Sequence, residues 1–200
     1  TAGTVTLILT STNNGNCLAV ADTLVITITS VPVTLAGNDT SVCANNANIT
    51  LNGSVIGGAG TGQWSTSGSG TFTPNNTTLN ATYTPSAGDI ASGSITLTLT
   101  ATNACLNTVD NVIITITPAP TSSAGIDQVI CAGSLVNLNG VVTIAGGGQW
   151  TTTGSGFFAP NDSALNAIYV PSNADTTAGT VTLILTTTGN GKCIAVSDSM

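Results

Sequence analysis

The chain has 200 residues, and charged side chains make up only 4% of them, whereas an ordinary soluble domain carries roughly 25%. One lysine, eight aspartates and no histidine leave a net charge of −7. Catalysis by histidine or by paired acids and bases cannot be assembled from this set, so we expect neither an enzyme nor a cofactor. The negative charge disfavours nucleic acid, and no apolar run reaches the roughly 18–20 residues that cross a bilayer, so we expect no membrane insertion by this segment.

The sequence repeats itself with a period of about 88 residues. TAGTVTLILTST at 1–12 returns two periods later, 176 residues on, as TAGTVTLILTTT at 177–188. GQWSTSGSGTFTPNNTTLNATYTP at 62–85 returns as GQWTTTGSGFFAPNDSALNAIYVP at 148–171. The cysteines keep nearly the same spacing, which indicates one structural module that recurs along the chain.

Alternation of apolar and polar residues predicts β-strands throughout. SITLTLTAT at 94–102 places its Ile and Leu side chains on one face and its Thr on the other, which is typical of a half-buried antiparallel strand. Ser86 with Asp89, and Ser172 with Asp175, have the spacing of a capping box, so a single helical turn is expected in each of these two places, at 86–93 and 172–179. For the middle repeat we expect strands near 34–42, 48–55, 62–66, 71–73, 80–84, 94–101 and 109–117.

A unit of this length with about seven short strands fits an immunoglobulin-like sandwich of two antiparallel sheets. We therefore predict an all-β protein made of tandem sandwich domains that form a rod. Residues 1–30 would be the last two strands of one domain, residues 31–118 a complete domain, and residues 119–200 a domain that lacks its final strand. The aromatic residues expected in the cores are Trp64, Trp150, Tyr83 and Tyr169.

The five cysteines leave the disulfide pattern open. Pairing within domains would give Cys43–Cys105 and Cys131–Cys193, with the partner of Cys17 outside this sequence. Pairing across the junctions, Cys17–Cys43 and Cys105–Cys131, would fold extended strands back on themselves, which a rod forbids. An interdomain bond between Cys43 and Cys193 would join the first strand of one domain to the last turn of the next. We favour this interdomain bond, which would leave Cys17, Cys105 and Cys131 with partners outside this sequence. Free buried thiols are a further alternative.

Several segments resemble a known family. AGNDTSVCANNANITLNGSV at 36–55 and AGIDQVICAGSLVNLNGVV at 124–142 resemble the opening of PKD-like, immunoglobulin-type repeats. The GQW, LNATYTP and TLTLTAT segments resemble repeats of giant cell-surface adhesins in Bacteroidetes, of which the gliding-motility adhesins are one type. The WDFGDG segment typical of PKD domains is absent, since QWSTSG stands in its place. The resemblance implies type IX secretion, an extracellular position on the bacterial outer surface, and a stalk or filament role in attachment or gliding.

The same resemblance makes bacterial O-glycosylation relevant, because four Asp-Ser or Asp-Thr segments match its consensus. The candidate acceptor hydroxyls are Thr23, Ser163, Thr176 and Ser199. Asp39 and Asp127 stand at equivalent positions of two repeats, but no two carboxylates are close in sequence. We therefore expect turn capping there and no metal site.

These observations together predict a mechanical role, in which the segment holds a distal binding element away from the cell and transmits load. Its partners would be neighbouring repeats of its own chain. Two alternatives stay open. One is a carbohydrate-binding module that grips surface polysaccharide, and the other is a self-assembling filament in which residues 1–30 donate strands to the incomplete last domain of another copy.

Overall fold

The computed structural model describes residues 3–58, 60–102 and 106–200, and these residues are almost entirely β-structure. Two short helices lie among them, α1 at Ala87–Ser92 and α2 at Asn173–Ala178, where the capping signals predicted helical turns. The strands are β1 Gly3–Thr10, β2 Ala21–Ile28, β3 Val33–Leu35, β4 Thr40–Cys43, β5 Ile49–Thr50, β6 Ser54–Ile56, β7 Thr61–Thr66, β8 Thr71–Thr73, β9 Thr82–Thr84, β10 Ser94–Thr102, β11 Val109–Thr117, β12 Thr121–Ser123, β13 Val136–Asn137, β14 Val141–Thr143, β15 Gly147–Thr152, β16 Phe157–Ala159, β17 Ile168–Val170, β18 Leu183–Thr188 and β19 Ser197–Ser199.

The middle and last repeats share one antiparallel topology. In the middle repeat the strand orders are β3-β6, β5-β9-β8 and β4-β11-β10-β7, and in the last repeat they are β12-β14, β13-β17-β16 and β15-β18-β19. The register repeats as well, since Trp64 lies opposite Leu99 and Trp150 lies opposite Leu185. The predicted fold class is confirmed: the chain is an all-β protein of immunoglobulin-like antiparallel sandwiches.

The described residues divide into two compact units, and each has a buried core. The first unit comprises residues 1–40, 49–86 and 95–114, and the second comprises residues 41–48, 87–94 and 115–200. Large buried side chains of the first unit are Trp64, Tyr83, Leu97, Leu99 and Ile114, and those of the second are Trp150, Tyr169, Leu138, Leu183 and Leu185.

The aromatic residues dominate these cores, as the sequence predicts. Trp64 and Tyr83 are fully buried, and Trp150 and Tyr169 retain 1% exposure each. Phe158 packs against Tyr169 with ring centroids 5.1 Å apart. A buried aromatic ring removes about 150–250 Å² from water, so each contributes roughly 4–6 kcal/mol on area bookkeeping.

The first strand of the middle repeat is shorter than the sequence predicts. The expected strand at 34–42 is interrupted at Gly37, whose φ of +100° lies in a region that L-residues with a side chain rarely adopt. Two strands result, β3 and β4, and they pair in different sheets. The expected strand at 48–55 is likewise divided into β5 and β6.

The β1–β2 hairpin at the start of the chain differs from its repeat equivalents in burial. All sixteen of its strand residues are exposed, although Val5, Leu7 and Leu9 follow the same alternation as the buried apolar residues of β10. Their exposed fractions are 43%, 50% and 78%. The β1–β2 hairpin therefore has an apolar face that no other described residue covers.

Candidate functional site: a disulfide-centred contact

A disulfide joins Cys43 to Cys193 across 150 residues of sequence, with an S–S distance of 2.08 Å and a Cα–Cα distance of 5.0 Å. Both values are ordinary for disulfides in proteins. Cys43 ends β4 and is fully buried, while Cys193 stands in the turn between β18 and β19. Both cysteines belong to the second unit. This is the pairing that the sequence favoured.

The alternative pairings within domains are wrong for the residues that the structure describes. Cys193 is bonded to Cys43 and therefore not to Cys131, which carries an exposed free thiol. Cys43 is likewise not bonded to Cys105, which itself lies outside the described residues. Cys17 is exposed and free, so the junction pair Cys17–Cys43 is not formed either. The reason is that Cys43 ends its strand beside the 190–194 turn, where Cys193 meets it.

A pair of amide hydrogen bonds flanks the disulfide. Asn45 donates from Nδ2 to the carbonyl oxygen of Ile194 at 2.9 Å, and its Oδ1 accepts from the backbone N–H of Ile194 at 3.1 Å. Asn46 adds a bond of 3.3 Å from its Nδ2 to the carbonyl oxygen of Lys192. The side chain of Asn45 thus makes the same pair of hydrogen bonds to the backbone of Ile194 that a neighbouring β-strand would make, and it holds the turn in place beside the disulfide.

The one basic side chain of the sequence lies in the same contact. Lys192 donates from Nζ to the carbonyl oxygen of Ser41 at 2.7 Å and to its Oγ at 3.3 Å. Both acceptors are neutral, so the ammonium group of Lys192 is held by hydrogen bonds and not by an ion pair with a carboxylate. Neither Lys192 nor Asn45 is predicted from the sequence as part of a site. The only available signals were that they stand one and two residues from a bonded cysteine.

The arrangement can hold two distant parts of the chain together, and it offers no catalytic group. Closing a loop of 150 residues contributes about 5 kcal/mol on the chain-entropy model, and each flanking hydrogen bond adds roughly 1 kcal/mol. The described residues contain no group of three or more Cys, Asp, Glu or His side chains that could hold a metal ion.

A second polar cluster is built around Asp175 at the start of α2. Its carboxylate accepts from the backbone N–H of Ser155 at 2.8 Å, of Gly156 at 2.9 Å and of Ser172 at 2.9 Å, and from the hydroxyl of Tyr169 at 2.8 Å. Ser172 completes the predicted capping box, because its Oγ accepts from the backbone N–H of Asp175.

These hydrogen bonds set the protonation of the cluster. The backbone N–H groups of Ser172 and Ser155 hold the pKa of Asp175 well below its usual range, because they stabilise the charged carboxylate. Burial raises the pKa of Tyr169, since the charged phenolate would lose its hydration. Both groups therefore keep one protonation state near neutral pH, and the cluster is structural.

A groove of about 550 Å³ lies beside the segment 127–133 in the last repeat. Val129, Ile130, Val181, Leu183 and Met200 supply its apolar lining. The segment is the repeat equivalent of β4, which in the middle repeat pairs with β11. Among the described residues of the last repeat, the equivalent of β11 is the short β19. The segment 127–133 forms no strand there, and Val129 is fully exposed.

The remaining predicted sites stay predictions. The four candidate glycosylation residues are exposed, and they are Thr23, Ser163, Thr176 and Ser199. Asp39 accepts at Oδ1 from the backbone N–H of Ile113 in β11 at 2.8 Å, which is a contact across 74 residues and not the local turn capping that the sequence predicts. Among the described helices, none is long and apolar enough to span a membrane.

No protein-family model matches the chain, and neither does any curated protein. Solved structures similar to it are extracellular domains. Mouse protocadherin-24 EC1-3 has a TM-score of 0.34 and 11% identity, with 98% of this chain and 77% of that one covered. Drosophila OTK extracellular domains 3-5 score 0.43 at 10% identity, with 91% and 65% covered. Human protocadherin-24 EC1-2 scores 0.42 at 11% identity, with 86% and 94% covered. All three TM-scores are low, so the likeness supports no conclusion about the role of this chain.

Proposed function

We propose that the chain is a load-bearing structural segment of an extracellular adhesion-type protein. The observation that carries the proposal is the Cys43–Cys193 disulfide, which encloses most of the chain. A disulfide that persists requires an oxidising compartment, which favours an extracellular position. The sparse charges and the absence of histidine in the sequence leave no catalytic set that would favour an enzyme.

The position of the disulfide defines a route for force. When the two ends of the chain are pulled, tension that reaches Cys43 passes through the sulfur bridge to Cys193 and bypasses the residues between them. Those residues include Trp64 and its surroundings in the first unit. A segment built in this way cannot extend between Cys43 and Cys193 under tension, because only the residues outside the bridge can extend.

Single-molecule pulling tests the role. With the bridge intact, roughly 50 residues lie outside it and can extend by about 170 Å, at 3.3–3.6 Å per residue. After reduction the whole chain can extend, which gives about 680 Å. The measurement compares the released contour length with and without a reducing agent, using handles at both termini.

The variant Cys131→Ala is the matched control, because it removes a free cysteine from an equivalent place in the next repeat and leaves the bridge intact. Its contour length should equal that of the oxidised wild type. Cys193→Ala should give the long extension without reduction. Equal lengths for oxidised wild type and Cys193→Ala would refute the load-bearing role.

The finer assignment rests on the sequence resemblance. We propose a segment of a secreted bacterial surface adhesin that spaces a distal element from the cell, with export by type IX secretion and O-glycosylation as further expectations. Intact-mass measurement of the protein from its native host would reveal attached sugar. A carbohydrate-binding role is less favoured, because both tryptophans are buried and cannot serve as sugar platforms.

A further inference from the structure

The Cys43–Cys193 disulfide is surrounded by hydrogen bonds that involve no sulfur atom. Among the described residues, Asn45, Asn46 and Lys192 make five such bonds across the contact. We propose that these bonds keep the two sides of the contact docked after the disulfide is reduced, so that the disulfide can open and close again in the folded protein. The inference rests on the proposed load-bearing function and makes the load path reversible.

Each side of the contact is also held in shape by its own backbone. On the first side, Ala44 donates its backbone N–H to the carbonyl oxygen of Thr117 at 2.8 Å, and the Thr117 hydroxyl donates to the carbonyl oxygen of Val42 at 3.0 Å. On the second side, the backbone N–H of Cys193 donates to the carbonyl oxygen of Asn190 at 3.0 Å. Reduction of the disulfide breaks none of these bonds, so both sides keep the shapes that fit each other.

The structure also places hydrogen-bond acceptors beside both sulfur atoms. Sγ of Cys43 lies 3.1 Å from Oδ1 of Asn45 and 3.7 Å from the carbonyl oxygen of Pro118, and Sγ of Cys193 lies 3.8 Å from the same carbonyl oxygen. A thiol is a weak donor, and a buried donor without an acceptor costs free energy. The thiols formed on reduction therefore find acceptors already in place, and the docked contact accommodates the reduced state.

The two sulfur atoms differ in access, which fixes the order of the exchange. Cys43 is fully buried, whereas Cys193 is half-buried, so a glutathione thiolate attacks Sγ of Cys193. The S–S bond breaks, Cys43 leaves as the thiolate, and glutathione becomes joined to Cys193. A second glutathione thiolate then attacks the sulfur of the first and releases the Cys193 thiolate and oxidised glutathione. Two glutathione thiols are oxidised, one protein disulfide is reduced, and the two glutathione protons pass to the protein thiolates.

Closing is the reverse of this exchange, and it depends on docking. The thiolate of Cys193 attacks oxidised glutathione and releases one glutathione thiolate, and the Cys43 thiolate then displaces the second glutathione from Cys193. The second step is fast only when the two cysteines stay adjacent, because it is then a reaction within one preformed site. Asn45 and Lys192 are therefore positioning residues for the closing of the disulfide.

Alkylation of Cys43 in the full-length variant Cys193→Ala measures docking without the bridge. The protein is treated with iodoacetamide in a phosphine reductant, and peptide mapping after chymotrypsin digestion assigns the label to Cys43. Cys43 should react more than about 100-fold more slowly than in the same protein unfolded in urea, because the five hydrogen bonds must break before the reagent reaches the sulfur. Tryptophan fluorescence reports in parallel whether the protein is folded.

Further substitutions in the same background identify the bonds that dock the turn. Asn45→Ala removes two bonds and should speed the labelling of Cys43 by roughly 5- to 30-fold. Lys192→Met removes the bonds to Ser41 and should speed it by roughly fivefold or more, while the acceptor of the Cys43 thiol is unchanged. Asn48→Ala is the matched control, because Asn48 is an exposed asparagine of the same segment, and the labelling rate should stay within about twofold.

Labelling of Cys43 in Cys193→Ala at the rate of the urea-unfolded protein would overturn the proposal, whether the contact or the whole fold is lost. An equal acceleration by Asn48→Ala would overturn it as well. The failure of this inference is distinguishable from failure of the load-bearing role. The pulling experiment measures the covalent bond under tension, whereas the labelling experiment measures the unloaded contact without that bond.

Reoxidation of the reduced wild-type protein by oxidised glutathione gives a second measurement. Intact mass and peptide mapping should show the glutathione adduct of Cys193 only as a minor species in wild type, because Cys43 displaces it quickly. The adduct should accumulate in Lys192→Met, where the turn is docked less of the time. A wild-type protein in which this adduct accumulates as the main species would refute the reversible closing of the disulfide.

Discussion

Removing the disulfide should strongly destabilise the protein. In Cys193→Ala the unfolded chain is no longer constrained by a closed loop of 150 residues, which on the chain-entropy model costs about 5 kcal/mol of the free energy of unfolding. A small domain is stable by only about 5–15 kcal/mol in total. The variant should therefore unfold at a much lower denaturant concentration.

Equilibrium unfolding in guanidinium chloride, followed by tryptophan fluorescence, measures this change. Placing all proteins in a Trp64→Phe background leaves Trp150 as the reporter of the second unit, which contains the disulfide. The slope of free energy against denaturant should also be steeper in Cys193→Ala, because an unfolded chain without a cross-link exposes more surface. Cys131→Ala is the control, and its stability should stay within about 0.5 kcal/mol.

A loss below about 1 kcal/mol in Cys193→Ala with an unchanged slope would refute the reasoning, because the bond would then not constrain the unfolded chain. An equal loss in Cys131→Ala would also refute it. That result would assign the effect to substitution of a cysteine and not to the bridge.

The pH, packing and hydrogen bonding of the last repeat give three further predictions. As the pH falls below the ordinary carboxyl pKa of 3.8, the unfolded chain binds a proton at Asp175 that the folded chain does not, so the free energy of unfolding should fall. Urea unfolding at several pH values measures this, and the free energy of unfolding should depend less steeply on pH in Asp175→Asn. Gly140→Ala would place its Cβ 2.8 Å from Cζ2 of Trp150 and should lower the free energy of unfolding by about 1–3 kcal/mol in urea, whereas Gly3→Ala enters open space and should change little. Tyr169→Phe removes the hydroxyl that donates to Asp175 and should cost about 1 kcal/mol in the same assay, and an unchanged stability would contradict the described bond.

Most of the fold is predictable because the physical signals are local. The alternation in 94–102 marks one buried face, and β10 forms there with Ile95, Leu97 and Leu99 buried. The capping spacing at Ser172 marks the start of α2. What local pattern did not reveal is the division of the first strand, because it depends on which sheet each half joins after the left-handed Gly37.

The candidate site is only partly predictable. The repeat period reduces the possible sulfur pairings to a few, but the choice among them depends on which turn meets which strand end. Asn45 and Lys192 find partners 149 and 151 residues away, and nothing in their immediate sequence indicates those partners. Long-range contacts of this kind are decided by the tertiary arrangement.

The bridge between Cys43 and Cys193 also makes the chain between them a covalently closed ring. A protease that hydrolyses one peptide bond in an exposed loop, such as the loop at Gly57 and Gly58, would open the ring without releasing either fragment. Two cuts would be needed to free a piece. After one cut anywhere between Cys43 and Cys193, the two ends of the protein therefore stay covalently joined.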